Sequence, residues 1–134
     1  ILTELPFGNT TQVTALPGSQ VLAALENSVS QVEKGAGRFA QVSGLSFTYD
    51  PTAPAGARVS EVMIAGAPLN LDTVYKVATN DYLIGGGDGY AALGGGKLDP
   101  ALGGHLGAND VMAYVEKMGT VKPAVEGRIK VLGK

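Results

Sequence analysis

The sequence has no cysteine and no tryptophan, a single histidine, and few charges: Asp, Glu, Lys and Arg make up 16% of its 134 residues. Without cysteine there is no disulfide and no thiolate metal site. The lone histidine, His105 in GGHLG, has no second His or carboxylate cluster at metal-ligand spacing, and it reads as a surface residue. Ten Lys and Arg against twelve Asp and Glu leave a formal net charge of -2 with no basic cluster. That excludes the basic face a nucleic-acid binder needs, so no nucleic-acid partner is expected. No apolar run approaches the ~20 residues of a membrane-spanning helix, and no secretory leader is visible. The hydrolase and phosphate-loop patterns G-x-S-x-G, H-x-x-x-H and G-x-x-x-x-G-K-[ST] are missing too; GGGKLD (94–99) lacks both the spacing and the hydroxyl of the last. GGGDGYAAL is only faintly like a calcium-binding nonapeptide, with its Asp misplaced and the unit unrepeated. No hydrolytic centre assembles from these residues alone.

What the chain does have is glycine, 20 of them, in a 45% hydrophobic background. This is the composition of a single globular domain with many sharp turns or close backbone approaches. TQVTALPG reads as a short strand. Ser19 is the expected N-cap of a helix whose stripe is Leu22, Leu25, Val29 and Val32, ended by Gly35 and Gly37. Strands are expected over 39–50, with Gly44 as a bulge, and over 58–66, 74–83 and 127–133. A second helix should start at the N-cap Asn109, turn Val111, Val115 and Met118 inward, and stop at Gly119. Short connections make 39–50, 58–66 and 74–83 antiparallel neighbours, and the first helix allows one parallel crossover. The expected class is α+β: a mixed β-sheet of about five strands with two main helices in a single domain.

Two stretches stand out. In ATNDYLIGGGDGY (78–90) a strand signal runs into Tyr82, three glycines and Asp88. A ring beside a carboxylate can stack a heteroaromatic base and accept from its N–H or its ribose hydroxyl. It can equally be a half-buried strand aromatic followed by an Asx-turn residue. In LPFGN (5–9), Phe7 sits in a turn before a strand, either as a ligand contact or as a ring packed under the first loop.

The order LPFGN, GRFAQVSGLSFTYD, YKVATNDYLIGGGDGY and KPAVEGRIK resembles, over essentially the whole chain, the C-terminal substrate-binding domain of the 5′-nucleotidase family. That family includes the UDP-sugar hydrolases and the ecto-5′-nucleotidases. The resemblance implies that residues 1–134 are such a domain, lacking its own N-terminal portion and the metallophosphoesterase domain; the start at ILTELPFGNT, without Met, fits a processed or excised piece. It implies that Phe7 and Tyr82 clamp a base, that Asn9 contacts it, that Gly37 (or Gly35) lies near it, and that Asp88 holds the ribose. Tyr82 departs from the family's usual Phe, leaving a hydroxyl that needs a partner. The full protein would hydrolyse nucleotide phosphate esters, its catalytic residues and two divalent metal ions lying in the missing domain. This chain itself would hold no cofactor and be inactive alone. The implied partners are a nucleotide or nucleoside and the protein's own metal domain; the implied location is periplasmic or extracellular. A missing front segment would leave a sheet edge open to self-association. The competing reading is a non-catalytic nucleotide-binding or adhesion module that reuses the fold.

Overall fold

A computed structural model describes residues 7–133; Leu5 and Pro6 of the LPFGN turn lie outside them. In chain order the elements are β1 (Thr10–Pro17), α1 (Gly18–Val29), β2 (Leu45–Tyr49), β3 (Val59–Ile64), β4 (Ala67–Pro68), β5 (Val74–Asn80), α2 (Asp81–Ile84), β6 (Lys97–Leu98), β7 (His105–Leu106), α3 (Gly107–Met118) and β8 (Ile129–Val131). Short 3-10 turns occupy Val32–Lys34, Gly87–Gly89 and Ala91–Gly95.

The class is α+β, but the strands divide into two sheets instead of joining one. In the first, β1 is central, antiparallel to β5 from Thr11↔Asn80 to Pro17↔Val74, with β6 and β7 on its other side. In the second the order is β4-β3-β2-β8. The expected pairing of 58–66 with 74–83 therefore does not occur. β3 turns back through Ala65 and Gly66, both at positive φ, and β4 takes its edge at Met63↔Pro68 and Ile64↔Ala67. Pro68 has no N–H to extend that ladder, and the chain crosses to the other sheet. Among the described residues the one parallel pairing joins β2 to β8, not two strands flanking α1. The bulge falls between Ser46 and Thr48 rather than at Gly44.

α1 lies between the sheets and carries the core. Val21, Leu25 and Val29 are buried with Leu16 of β1, Phe47 and Tyr49 of β2, Val62 of β3, and Tyr90 and Leu93. Leu22 and Val32 of the predicted stripe pack at its margin. Each fully buried aliphatic side chain contributes about 1.5–3 kcal/mol. Ser19 is not the cap. Helix α1 begins two residues earlier, with Pro17 in the cap position, and its first N–H groups go to a neighbouring loop: Gly18 N–H donates to Thr73 O (2.8 Å) and Ser19 N–H to Leu71 O (3.1 Å). Those carbonyls satisfy the orphan donors that a side-chain cap otherwise would. Any side chain at residue 18 would lie 2.1 Å from Asn70 O, so only glycine admits this approach. At its C-terminus α1 is pinned to β3: the buried Arg58 donates through Nη1 to Val29 O (2.7 Å) and Glu33 (2.8 Å), while Glu26 accepts from Arg58 N–H.

α3 departs further from expectation. It starts after Leu106, two residues before Asn109, because Gly107 N–H donates to Asn9 O (2.9 Å). Only Ala108 of this helix is buried; Val111 (41% exposed) and Met118 (54%) face outward. Gly119 does end it, with φ 71°.

Candidate functional site

β5 stops at Asn80, three residues short of the predicted end, because Asn80 caps a new helix. Its side-chain oxygen accepts from Leu83 N–H at 2.9 Å. Tyr82 consequently stands on the first turn of α2, not on a strand. Just before it, Asp81 reaches back to the chain entering β1, where Oδ1 accepts from Thr10 N–H (3.0 Å) and from Asn9 Nδ2 (3.2 Å). The Thr10 N–H, followed by the Asn9 amide among the side-chain donors, holds the Asp81 carboxyl below the usual aspartate range. This latch ties the turn bearing Phe7 to the helix bearing Tyr82, although 75 residues of chain separate the two rings.

Beyond α2 the chain folds back on the ring. A Cβ at Gly87 would lie 2.5 Å from both Cε1 and Cζ of Tyr82, so the ring rests against the bare Gly87 backbone. Its hydroxyl lies 3.3 Å from Asp88 Oδ1. The departure from Phe thus has its polar partner in the acidic residue of the same loop. Asp88 itself adopts φ 54°, ψ 27°, the left-handed region that few non-glycine residues occupy. Asn27 Nδ2 of α1 donates to its carbonyl at 3.1 Å, and Arg38 Nη1 donates to Asn27 Oδ1 at 3.2 Å. The Tyr90 hydroxyl donates to Arg38 O, and burial pushes its pKa up.

These bonds connect segments distant in sequence. From Asn9 the contacts run to Asp81, next to Tyr82; from Tyr82 to Asp88; from Asp88 to Asn27; and from Asn27 to Arg38, next to Gly37. Asn9, Tyr82 and Asp88 therefore lie along one series of hydrogen bonds and adjacent residues, with Gly37 next to its end at Arg38 and Phe7 two residues before its start at Asn9. Phe7 is 77% and Tyr82 53% exposed. The ring pairs in contact among the described residues are Phe39–Tyr49 and Phe47–Tyr49, so neither of these two rings is spent on an aromatic neighbour. Nothing stands within 4 Å of where a Gly37 side chain would begin. His105 is exposed on β7, paired with Thr11.

Sequence reasoning missed Asp81, Asn27, Arg38 and Tyr90. Asn27 did leave a signal: Asn is a poor residue for a helix interior, where its side chain competes for backbone partners. Asp81 was hidden inside what read as a continuous strand. An open cleft of about 470 Å³ lies elsewhere, on the second sheet, lined in part by Thr48, Glu61, Arg128 and Lys130. It has no pair of exposed rings and is remote in connectivity from the path above. Among the described residues no group of three or more His, Cys, Asp and Glu could hold a metal ion, and no helix is long and apolar enough to cross a membrane.

Residues 1–95 match the family described as "5′-nucleotidase, C-terminal domain". The trifunctional nucleotide phosphoesterase protein YfkN of Bacillus subtilis (strain 168) is 40% identical over 139 residues, covering 97% of this chain and 9% of that protein. A 5′-nucleotidase precursor from Thermus thermophilus superposes with a TM-score of 0.90 at 42% identity, over 96% of this chain and 26% of that one. The sulfate thiohydrolase SoxB of Thermus thermophilus superposes at 0.75 with 28% identity, over 98% and 24%. The chain spans no more than about a quarter of the length of these proteins.

Proposed function

Because the chain belongs to the family of 5′-nucleotidase C-terminal domains, we propose that it recognises the substrate for a larger phosphoesterase that hydrolyses nucleotide phosphate esters. In this reading Phe7 and Tyr82 flank the base, Asn9 contacts its edge, Gly37 leaves room for it, and Asp88 accepts from the ribose hydroxyls. The observation that carries the reading is the seating of the Tyr82 ring on Gly87 with its hydroxyl at Asp88. One ring face is backed by protein, and a carboxylate acceptor stands at the ring's polar end. A base on the other face would place its sugar near that acid.

The two divalent ions that the resemblance implies do not fit the residues described here. Their ligands would belong to a separate metal domain, the partner of this one in the whole protein. The chain's own contribution is orientation: it holds a bound substrate in one pose, which removes the entropy of finding it. A periplasmic or extracellular location is proposed with it, supported by the precursor status of the Thermus thermophilus nucleotidase.

Stacking on an aromatic side chain is worth about 1–3 kcal/mol per base, and much of that is offset by the cost of association. A net near −4 kcal/mol corresponds to a dissociation constant of about 1 mM. An NMR titration of the 134-residue chain with a nucleoside and its 5′-monophosphate is expected to move residues 7–9 and 82–90, with nearly equal affinity for the two. The reading fails if neither ligand shifts these residues. Binding of the monophosphate tenfold tighter would reveal a phosphate site within this chain. Phosphate release by the isolated chain with Mn or Zn added would overturn the division of labour.

The likeness to SoxB, a sulfate thiohydrolase, favours a second reading. The same fold serves an enzyme whose name carries no nucleotide, and in this second reading the domain is a module that binds a ligand other than a nucleotide. Metal-ligand His and Asp motifs encoded upstream would favour the enzyme; their absence would favour the module.

A further inference from the structure

Asn27 occupies the last turn of α1, a helix held at its C-terminal end by Arg58 and buried along its core face. Its amide has one donor end and one acceptor end. Arg38 can only donate, so the acceptor end must turn toward it: Nη1 lies 3.2 Å from Asn27 Oδ1 and also 3.2 Å from Ser30 Oγ. The donor end is then left facing Asp88, whose carbonyl accepts from Nδ2 at 3.1 Å. The loop lies directly on this amide. A Cβ at Gly89 would stand 2.8 Å from Asn27 Oδ1 and 3.2 Å from Arg38 Nη1, and Gly89 has φ 80°. Asp88 sits beside it in a left-handed conformation that a non-glycine residue keeps only when its surroundings hold it there.

We propose that Asn27, its amide oriented by Arg38, is a positioning residue for Asp88. It grips the Asp88 carbonyl, and through it the left-handed backbone that presents the carboxylate beside the Tyr82 ring. Arg38 follows Gly37 directly, so one amide couples the loop on the base side to the loop on the sugar side. This inference rests on the reading of Asp88 as the ribose acceptor. Asn27 itself touches no substrate; it acts on the sugar contact and not on the stacked base.

The test uses adenosine and adenine as probes on the 134-residue chain. The wild type should bind adenosine more tightly than adenine. In Asn27→Ala, adenosine should weaken by about tenfold, the scale of a lost ribose hydrogen bond to the charged Asp88 carboxylate, while adenine stays within about twofold. Asn27→Asp, which keeps an oxygen for Arg38 but has no donor for Asp88, should show the same selective loss. Arg38→Met, which keeps the stem and removes the guanidinium, should lower the adenosine-to-adenine preference as well, and it carries the test if the Asn27 variants do not fold. A general loss of structure would weaken both ligands together. If wild type prefers adenosine and a folded Asn27→Ala keeps that preference, the bridge is wrong and the nucleoside reading stands. If wild type binds neither probe, the nucleoside reading falls and the bridge falls with it.

Discussion

The Tyr82 hydroxyl stands 3.3 Å from Asp88 Oδ1 while its ring lies against the Gly87 backbone. The side chain offered for stacking and the acid offered to the sugar are therefore one unit. Tyr82→Ala should weaken nucleoside binding by about 1–3 kcal/mol, the value of one base–aromatic stack. Tyr82→Phe keeps the stack and frees an Asp88 oxygen that the phenol occupies. It is expected to raise the preference for adenosine over 2′-deoxyadenosine, read by competitive titration. A lowered preference would mean that the phenol orients the carboxylate instead of competing for it.

Gly87→Ala tests the seat of the ring. The new methyl would meet ring atoms at 2.5 Å, and the ring, being half exposed, can swing aside. Stability should change by no more than about 0.5 kcal/mol, as for surface changes generally. Nucleoside affinity should fall as far as in Tyr82→Ala. Denaturant unfolding and titration on the same sample separate the two effects.

The Asp81 latch should respond to acid. Its carboxyl is held low by the Thr10 N–H first and by the Asn9 amide among its side-chain partners. A depressed folded-state pKa means that the bonds are fully present above the ordinary aspartate value and are lost as pH falls through the lowered one. Glu33, held low by its own backbone N–H and then by Arg58, and Asp50, held low by Thr52, titrate with the same sign. Global acid stability therefore cannot isolate the latch. The Thr10 amide resonance can: it should move below about pH 4 in the wild type and stay still in Asp81→Asn. Asp81→Ala should also weaken nucleoside binding through Phe7.

Tyr90→Phe removes the donor to Arg38 O and leaves that carbonyl without it at a partly buried site. The expected cost is about 1–3 kcal/mol, seen as a lower denaturation midpoint with an unchanged m-value. An unchanged midpoint would mean that water replaces the bond.

β5 pairs only with β1 among the described residues, which leaves its outer ladder open, and Val74 on it is 64% exposed. We expect concentration-dependent self-association of the isolated chain through that edge. Sedimentation at rising concentration should show the mean mass climbing; a constant monomer mass would refute it. Lys76, exposed on the same strand, works against this pairing, so a weak equilibrium is expected.

What the chain determines by itself is largely local. The stripe of Leu25 and Val29 puts α1 against the core, and Gly119 ends α3 with the positive φ that glycine allows. The Tyr82–Asp88 stretch could be picked out because ring, glycine and acid stand close together in sequence, and Phe7 because its ring sits in a Pro-Phe-Gly-Asn turn before a strand. The tertiary structure decided what these residues touch. Whether β5 pairs with β3 or β1 depends on an edge already taken by β4, and no periodicity within 74–80 records that. The outward turn of Val111 and Met118 depends on what α3 lies against, not on its own spacing. Asp81 meets Thr10 across 71 residues and Asn27 meets Asp88 across 61. A side-chain period identifies a face, but it does not name the distant backbone group that a single carboxylate or amide will meet. Only the closed fold brings those partners within hydrogen-bonding distance, and there a helix capped by Asn80 replaced the last three residues of the strand that local pattern favoured.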